Sequence, residues 1–280
     1  MSEKKRKKKE RKVRVELTRR DVLVMAGTAA ASVVAAQALT TGPLSPFAAL
    51  KRGQLAEQAE PDAPQRGTRW GMVVDLDKCI GCEYCLRACS AVNDVPAEAP
   101  WNIVVPERTS TGRTFFFSRP CLHCQHAPCV EVCPVRATYV RGDGLVIMDY
   151  DRCIGCRYCE VACPYDARRF NWEARQDENA YAPTWGRPEV ERRPRGVVEK
   201  CTFCVHRIDA GTARGLTPGV DAEATPACVN ICPVGARVFG NLKDPQSRVA
   251  QVVASNPTLR LREELGTDPS VYYIPPREGM

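Results

Sequence analysis

The cysteines of this 280-residue chain stand in groups, and there are sixteen of them. Residues 153–164 read CIGCRYCEVACP, which is the spacing C-x2-C-x2-C-x3-C-P. Thiolates at this spacing hold an iron–sulfur cluster, because three of them on one tight loop can wrap three corners of a cubane. A small residue such as Gly155 lets the backbone pass close to the cluster. Cys163 lies about one helical turn further on and points toward a second cluster, so this run predicts a pair of clusters.

Three further quartets account for the remaining cysteines. Residues 75–89 match residues 149–163 at ten of fifteen positions, which indicates an internal duplication. Another quartet has two extra residues between its second and third cysteines, and the last has a 23-residue insertion there. In chain order the quartets are Cys79, Cys82, Cys85 and Cys89 (quartet one); Cys121, Cys124, Cys129 and Cys133 (quartet two); Cys153, Cys156, Cys159 and Cys163 (quartet three); and Cys201, Cys204, Cys228 and Cys232 (quartet four).

Structural zinc is the main alternative for paired CxxC motifs, since zinc sites usually take two ligands from each of two knuckles. Quartet four, taken alone, suits such a site. Quartets one and three do not, because three adjacent knuckle cysteines over-fill one tetrahedral site. A disulfide framework gives no reason for the repeated spacing or for the Cys-Pro closures. The sequence therefore favours iron–sulfur clusters, and no CxxC is followed by the histidine of c-type haem attachment.

Few other side chains suggest a catalytic role. The three histidines, His123, His126 and His206, stand near ligand cysteines and are interpreted as packing or surface residues, with tuning of cluster potentials as the alternative. The sequence contains no dinucleotide-binding glycine motif, P-loop or nucleophile elbow. We therefore predict no catalytic residue and no substrate site, and expect a non-catalytic redox subunit.

The elements that must hold these cysteines are short. Each half-unit indicates a short strand, a ligand loop and a short helix, with β-type runs at 72–74 and 144–148 leading into quartets one and three. The predicted fold class is α+β. Longer stretches at 93–117 and 164–197, and a tail with a helical pattern near 246–255 followed by VYYIPP, are expected to build contact surface for partners.

The basic charge of the chain belongs to its first 38 residues. They hold eleven Lys or Arg and four Asp or Glu, whereas the remaining chain has 29 of each sign. The net charge of +7 is therefore a property of the leader, and the body is neutral. A neutral body argues against nucleic-acid binding.

An export signal is the prediction for this basic leader. The arginine pair at 19–20 precedes an apolar stretch at 22–39, and AQA at 36–38 suits signal cleavage. This layout predicts a twin-arginine signal at 1–38, a route for folded cargo that keeps sixteen unfolded thiols out of an oxidising compartment. An uncleaved membrane anchor is the alternative. A linker or arm is predicted at 39–69.

The order of the quartets resembles a known family. With the phrases VEKCTFCVHR at 198–207 and FGNLKDPQS at 239–247, residues 70–247 are similar to the iron–sulfur electron-transfer subunit of the dimethyl-sulfoxide reductase family. That family includes the four-cluster subunits of nitrite-reduction, polysulfide and tetrathionate reductase systems. The resemblance implies four [4Fe-4S] clusters, since this chain keeps all sixteen cysteines.

The resemblance also implies two pseudo-symmetric, ferredoxin-like modules of the bacterial dicluster type, with loop insertions. The first would combine quartets one and four, from residues 70–118 and 198–245. The second would combine quartets two and three, from residues 119–197. Residues 246–280 would form a C-terminal docking tail.

Paired quartets in that family exchange their last cysteines. The resemblance therefore implies four ligand sets, which we name set 1 to set 4. They are Cys79, Cys82, Cys85 and Cys232 (set 1); Cys89, Cys201, Cys204 and Cys228 (set 2); Cys121, Cys124, Cys129 and Cys163 (set 3); and Cys133, Cys153, Cys156 and Cys159 (set 4).

The function implied by this resemblance is electron transfer in an anaerobic-type respiratory oxidoreductase. The chain would relay single electrons between a membrane quinone-reactive subunit and a catalytic subunit, expected to depend on molybdopterin. The alternatives are an electron-transfer subunit of a hydrogenase or of a sulfite-reduction membrane complex, a self-contained reductase acting on a small substrate, and a zinc-stabilised interaction module. With its export signal, the chain is expected to be extracytoplasmic, on the periplasmic side of the membrane. We expect partner subunits to hold it at the membrane, because no apolar run of the body is long enough to span a bilayer.

Overall fold

The computed structural model describes residues 67–277, and the fold is given for these residues. The predicted export signal at 1–38 and most of the predicted linker at 39–69 lie outside the described residues. Within 67–277, no helix has both the length and the apolar character needed to cross a membrane.

Short strands form four small sheets in this region. The strands are β1 (Trp70–Asp75), β2 (Ile103–Arg108), β3 (Thr114–Arg119), β4 (Thr138–Val140), β5 (Val146–Met148), β6 (Arg168–Phe170), β7 (Val198–Lys200), β8 (Arg237–Asn241) and β9 (Val271–Ile274). In the one three-stranded sheet among them, β1 runs antiparallel to β8 and parallel to β9. The other three sheets are the antiparallel pairs β2–β3, β4–β5 and β6–β7.

The helices are short and follow the cysteine loops. They are α1 (Tyr84–Val92), α2 (Pro128–Glu131), α3 (Tyr158–Val161), α4 (Val205–Ala213), α5 (Ala227–Asn230) and α6 (Arg248–Ser255), with 3-10 turns at Ala222–Ala224 and Glu263–Leu265. Helix α1 packs against α5, and α2 packs against α3. The first contact joins quartets one and four, and the second joins quartets two and three. The mixture of small sheets and short helices confirms the predicted α+β class.

Strand β1 lies at the centre of the main sheet. All six of its residues, WGMVVD, are buried. A strand with neighbours on both edges and protein on both faces is expected to be a continuous apolar run, and the first five residues, WGMVV, form one before Asp75 ends the strand. The β-type run at 72–74 lies within this strand, and the strand leads directly into quartet one.

The C-terminal tail contributes to this fold. Helix α6 begins after Ser247, whose hydroxyl accepts a hydrogen bond from the Ala250 N–H, close to the helix expected near 246–255. Strand β9 then pairs with β1, and Tyr273 is fully buried, with its ring 4.8 Å from the ring of Phe117. Part of the segment expected to form a docking tail is thus a strand of the main sheet.

The long stretch at 164–197 packs on its own chain. Arg192 Nε lies 2.7 Å from the Asp94 carboxylate, just beyond the end of α1. Arg193 forms an ion pair of 2.9 Å with Glu199, and both side chains are almost completely buried. Glu199 also accepts a hydrogen bond of 3.0 Å from Trp101 Nε1. These contacts attach the insertion to the segment that follows quartet one and to strand β7, which precedes quartet four.

Two glycines explain the shared bend of the duplicated loops. Gly155 has φ +69°, and a Cβ there would lie 2.1 Å from the carbonyl oxygen of Gly196. Gly81 has φ +72°, and a Cβ there would lie 2.4 Å from the Phe116 ring. Glycine is needed because of this left-handed φ and because neighbouring protein lies so close. At Gly155 the close approach is to a neighbouring backbone carbonyl, whereas the sequence alone suggests an approach to the cluster.

Candidate iron–sulfur centres

The cysteines of quartets two and three line two small cavities. All four cysteines of set 3 line one cavity, which includes Leu122 and Tyr165 in its wall. All four cysteines of set 4 line the other. In each cavity three cysteines come from one quartet and the fourth from the other quartet. The two cavities therefore have the same kind of ligand set, as two copies of one cofactor would need.

The cysteines of quartets one and four also meet. Burial raises the pKa of Cys89 well above its usual value, and the charges of the other three set 2 thiols, which lie close by, raise it further. Burial also raises the pKa of Cys79, and the nearby set 1 thiols Cys85 and Cys232 add to this effect. Cys82 is half-buried in the same loop as Cys79. The assignment of these sets to clusters stays a prediction.

All sixteen cysteines are free thiols within the part of the chain that the structure describes. Burial raises the pKa of Cys124 and the pKa of Cys228 to about 12. Because iron binds the thiolate, a cluster must displace protons from these thiols when it is inserted. Across residues 67–277, no group of three or more His, Cys, Asp or Glu is close enough together to hold a single metal ion.

Backbone N–H groups point at the last cysteine of three quartets. The Ala137 N–H donates to Cys133 Sγ at 3.2 Å, and the Ala236 N–H donates to Cys232 Sγ at 3.3 Å. The Ala167 backbone bonds Cys163 in the same way and lowers its pKa against the effect of burial. Each alanine stands four residues after its cysteine, in CPVRA, CPYDA and CPVGA. The Cys-Pro turn therefore places a donor where a sulfur carries negative charge.

Two asparagine side chains add donors to sets 1 and 2. Asn102 Nδ2 lies 3.3 Å from Cys85 Sγ. Asn93 Nδ2 lies 3.5 Å from Cys204 Sγ and 3.8 Å from Cys89 Sγ, so it contacts two thiols of set 2. Amide donors stabilise a sulfur that gains electron density, which raises the reduction potential of the attached cluster.

Three basic side chains are buried among the cysteines. Arg168, Lys200 and Arg237 are 1%, 0% and 5% exposed. None of the three forms an ion pair with a carboxylate among the described residues. Burial lowers the pKa of Lys200, and the charges of Cys121 and Cys201 act in the opposite direction.

These cations show that the site fits a negatively charged group. A buried cation without a counter-charge is very costly, so native proteins pair it or neutralise it. The negative charges that act on these three residues most strongly are those of the cysteine thiolates. A [4Fe-4S] cluster with four thiolate ligands is an anion in each of its usual oxidation states and supplies that counter-charge. The donor set of thiolates and the buried cations therefore both suit iron–sulfur clusters.

Comparison with known protein families matches these cysteine regions to iron–sulfur domains. A 4Fe-4S dicluster domain matches residues 78–137 and 152–236. Another 4Fe-4S dicluster domain matches residues 113–180. The matched segments contain all four quartets and cover about half of the chain.

Three curated relatives extend this match. The chain is 45% identical over 223 residues to an iron–sulfur subunit ascribed to a dimethyl sulfoxide reductase of Halobacterium salinarum, covering 74% of this chain and 79% of the relative. It is 41% identical over 237 residues to the iron–sulfur cluster-binding subunit of menaquinone reductase from Nitratidesulfovibrio vulgaris, covering 75% and 90%. It is 37% identical over 232 residues to a subunit of tetrathionate reductase from Salmonella typhimurium, covering 79% and 80%. The chain belongs to the iron–sulfur subunits of the dimethyl sulfoxide reductase family.

Membership in this family confirms the resemblance found in the sequence. These iron–sulfur subunits are electron-transfer components of reductase complexes and not the catalytic subunits. The iron–sulfur subunit described here therefore carries [4Fe-4S] clusters in its dicluster domains and transfers electrons.

Two histidines of this iron–sulfur subunit have structural partners. His123 is fully buried, its ring is 3.9 Å from that of Phe203, and its Nδ1 accepts a hydrogen bond from the Val146 N–H. Burial lowers the pKa of His123 well below its usual value, so the ring is neutral. His206 lies 3.0 Å from Glu189. These contacts are those of packing and surface residues.

The residues that surround the sulfurs lie outside the cysteine motifs. Arg168 and Arg237 carry a detectable signal, because each stands five residues after the last cysteine of its quartet, in CPYDARRF and CPVGARVF. Lys200 directly precedes Cys201, but a single lysine beside a cysteine forms no sequence pattern that would predict its burial. Asn93 and Asn102 follow quartet one without a motif, and only the folded chain brings them to the sulfurs.

Proposed function

We propose that this iron–sulfur subunit holds four [4Fe-4S] clusters and relays single electrons between a catalytic subunit and a membrane quinone-reactive subunit. The observation that carries the proposal is the pair of cavities in quartets two and three, each lined by three cysteines of one quartet and the last cysteine of the other. Four cysteines around one small cavity are the ligand number of a cubane.

The proposed ligands are all sixteen cysteines in the sets named above. Set 3 and set 4 are supported by the two cavities. Set 2 is supported by the closeness of Cys89 to the other three thiols, and set 1 by the closeness of Cys79 to Cys85 and Cys232. Quartets one and four would form one dicluster module and quartets two and three the other. The α1–α5 and α2–α3 contacts and the β1–β8 pairing support this division.

Burial gives the four sets an order. All four thiols of set 2 are buried, and so are three of the four in set 3. In set 1 all four are only half-buried, and in set 4 Cys156 is exposed. Thiols of sets 1 and 2 are close to each other at Cys85 and Cys228, and those of sets 2 and 3 at Cys121 and Cys201. We infer that sets 1 and 4 are the ends at which electrons arrive and leave.

The chain supplies the surroundings and the clusters supply the redox chemistry. A bound [4Fe-4S] cluster accepts and releases one electron at a time. The residues of this chain hold the sulfurs, keep water from sets 2 and 3, and donate hydrogen bonds from Asn93, Asn102 and the Cys-Pro-x-x-Ala turns. These residues adjust the reduction potentials of the clusters, and none of them is proposed to bind a substrate.

The proposed partners are suggested by the family. One relative is a subunit of a menaquinone reductase and another of a tetrathionate reductase, so a quinone-reactive partner and a catalytic reductase partner suit this chain. We propose that the catalytic partner is molybdopterin-dependent and that the quinone partner is an integral-membrane subunit. The basic leader with its arginine pair at 19–20 supports export in the folded state and a location on the periplasmic side of the membrane.

The experiment is purification of the complex from its native host through a tag on this chain, without oxygen. We expect it to bring down a catalytic subunit with about one molybdenum per iron–sulfur subunit, and a membrane subunit. Adding menaquinol to the intact complex should reduce the clusters, as seen by electron paramagnetic resonance. A chain purified without partners from solubilised membranes, with clusters that menaquinol leaves oxidised, would contradict the proposed role.

A further inference from the structure

Three buried cations lie between successive cysteine sets, with one cation at each junction. We propose that Arg237, Lys200 and Arg168 are shared positive charges, each of which raises the reduction potentials of the two clusters beside it. The inference rests on the proposed function, since it assumes a cluster in each set. It deepens that function by naming positioning residues that allow neighbouring clusters to be reduced together.

Arg237 stands between set 1 and set 2. Its Nη1 lies 3.6 Å from Cys228 Sγ of set 2, and its charge acts most strongly on Cys85 of set 1. The guanidinium is fixed by Asn102, whose Oδ1 accepts a hydrogen bond of 2.8 Å, and by the hydroxyl of Ser118. An arginine held in this way keeps its charge at one place between the two sets.

Arg168 stands in the same way between set 3 and set 4. Arg168 lines the set 3 cavity, and its Nη2 donates a hydrogen bond of 2.8 Å to Thr138, which lines the set 4 cavity. Among the cysteines, the charges of Cys129 of set 3 and Cys159 of set 4 act on it most strongly. A single side chain therefore lies beside both neighbouring sets.

The two arginines occupy the same position relative to their quartets. Each stands five residues after the last cysteine of its quartet, and each contacts a methionine sulfur. The distances are 3.1 Å from Arg168 Nη1 to Met148 Sδ and 3.4 Å from Arg237 Nη1 to Met72 Sδ. Each pair of quartets therefore has one arginine at the junction of its two sets.

Lys200 stands where the two pairs of quartets meet. Its ammonium donates to the carbonyl oxygen of Cys201, which belongs to set 2, at 2.7 Å. Its charge also acts on Cys121 and Cys129, which belong to set 3. The proposed order along the molecule is set 1, Arg237, set 2, Lys200, set 3, Arg168, set 4.

A cation between two negatively charged clusters raises the reduction potentials of both. Reducing a cluster adds a negative charge, and a neighbouring cluster that is already negative opposes that addition, strongly so in a buried site. A fixed cation between the two offsets the repulsion for both. Arg237, Lys200 and Arg168 form no ion pair with a carboxylate among the described residues, and the cysteines are the groups whose negative charge acts on them most strongly. If these cations only held loops in place, replacing one of them would not shift the reduction potentials of the two neighbouring clusters together.

The test is a redox titration of the purified holoprotein, followed by electron paramagnetic resonance, for three variants. Lys200→Met should lower the midpoint potentials of the clusters in sets 2 and 3 and leave those in sets 1 and 4 unchanged. Arg237→Met should lower sets 1 and 2, and Arg168→Met should lower sets 3 and 4. The signals are assigned to sets with single Cys→Ala variants.

Charge-retaining and exposed variants serve as controls. Lys200→Arg, Arg168→Lys and Arg237→Lys should keep potentials close to those of the unaltered protein. Arg157, an exposed arginine next to Cys156, should have a far smaller effect when changed to Met, because water screens it. If a Met variant loses iron, the corresponding Gln variant replaces it, with the same expected pattern.

The outcomes separate this inference from the proposed function. The shared-charge role would be overturned if the Met variants kept four cluster signals with unshifted potentials. It would also be overturned if only one cluster shifted, or if all four shifted alike. The four-cluster proposal would stand in each of these cases. Fewer than four clusters in the unaltered protein would overturn the four-cluster proposal itself. Shifts confined to the three overlapping pairs of sets would support both.

Discussion

The immediate surroundings of each sulfur atom distinguish the clusters of this iron–sulfur subunit. Clusters of one type differ in potential through net charge, hydrogen bonds to sulfur and exposure to water. Here Asn93 donates a hydrogen bond to a thiol of set 2 and Asn102 to a thiol of set 1, whereas Cys156, a proposed ligand of set 4, is exposed. These differences are fixed by side chains outside the ligand motifs, so they can be changed without touching a ligand.

Replacing Asn93 by Leu should lower the potential of the cluster in set 2. The variant keeps the side-chain volume but removes the donor to Cys204 and Cys89. A lost hydrogen bond of about 1 kcal/mol corresponds to a fall of about 40 mV for a one-electron couple. The measurement is a redox titration of the holoprotein.

Asn230→Leu is the matched control for Asn93→Leu. Asn230 stands two residues from Cys228, but its amide donates to the carbonyl oxygens of Ala222 and Thr225 and not to a sulfur. Its replacement should leave all potentials in place. Equal shifts in the two variants would contradict the role given to Asn93.

At the scale of elements, Cys159 in the short helix α3 and Cys163 just after that helix line different cavities. Cys163→Ala should remove the same cluster signal as Cys121→Ala, because both residues line the cavity of set 3. Cys159→Ala should remove the set 4 signal instead. Each variant should lose up to about four iron per chain. Loss of one and the same signal from Cys159→Ala and Cys163→Ala would contradict the exchange of last cysteines.

The bend at Gly155 should be sensitive to a single methyl group. In Gly155→Ala the Cβ meets the Gly196 carbonyl at a left-handed φ, so we expect a cost of about 3 kcal/mol and a melting temperature lower by about 6–12 °C. Gly112 has a similar φ of +85° but nothing within 4 Å of a Cβ. Gly112→Ala should cost about 1 kcal/mol, or about 2–4 °C. Equal melting temperatures for the two variants would show that the close approach does not matter.

The short elements were predictable where a motif marked them. The β-type run at 72–74 and the helical pattern near 246–255 appear as β1 and α6, because apolar runs and a serine cap act locally. The partner of VYYI was not predictable, since β9 pairs with β1 about 200 residues earlier in the chain. The insertion at 164–197 was expected to serve partners, but ion pairs such as Arg193–Glu199 attach it to its own chain.

The candidate site shows the same division between local and distant information. The spacing of the cysteines identified the four quartets, because ligand loops are local, whereas the division into four sets came from the resemblance and stays a prediction. The buried cations and the asparagine donors were missed, because their closeness to sulfur depends on how distant quartets pack. Asn102 and Arg237, for example, are 135 residues apart and lie 2.8 Å from each other.

At the scale of the whole molecule, the proposed order places two buried sets between two more exposed ones. That order suits a chain that passes electrons from one partner to another. The proposed location rests on the leader, with its arginine pair at 19–20.

Changing the leader should change where the complex is found. Replacing Arg19 and Arg20 by Lys keeps the charge but removes the arginine pair that defines the proposed export signal. We expect nearly all of the chain to remain in the cytoplasm, with its clusters inserted. The measurement is cell fractionation with an antibody, and replacing Arg11 and Arg14 by Lys is the control. Unchanged export of the Arg19/Arg20 variant would contradict the twin-arginine proposal.

The most direct test of the four-cluster proposal is the metal and sulfide content of the anaerobically purified full chain. Sixteen cysteines in four sets predict about sixteen iron and about sixteen acid-labile sulfide per chain, with no zinc. About eight iron would contradict the count of four clusters. A few zinc ions with little iron would contradict the proposal as a whole.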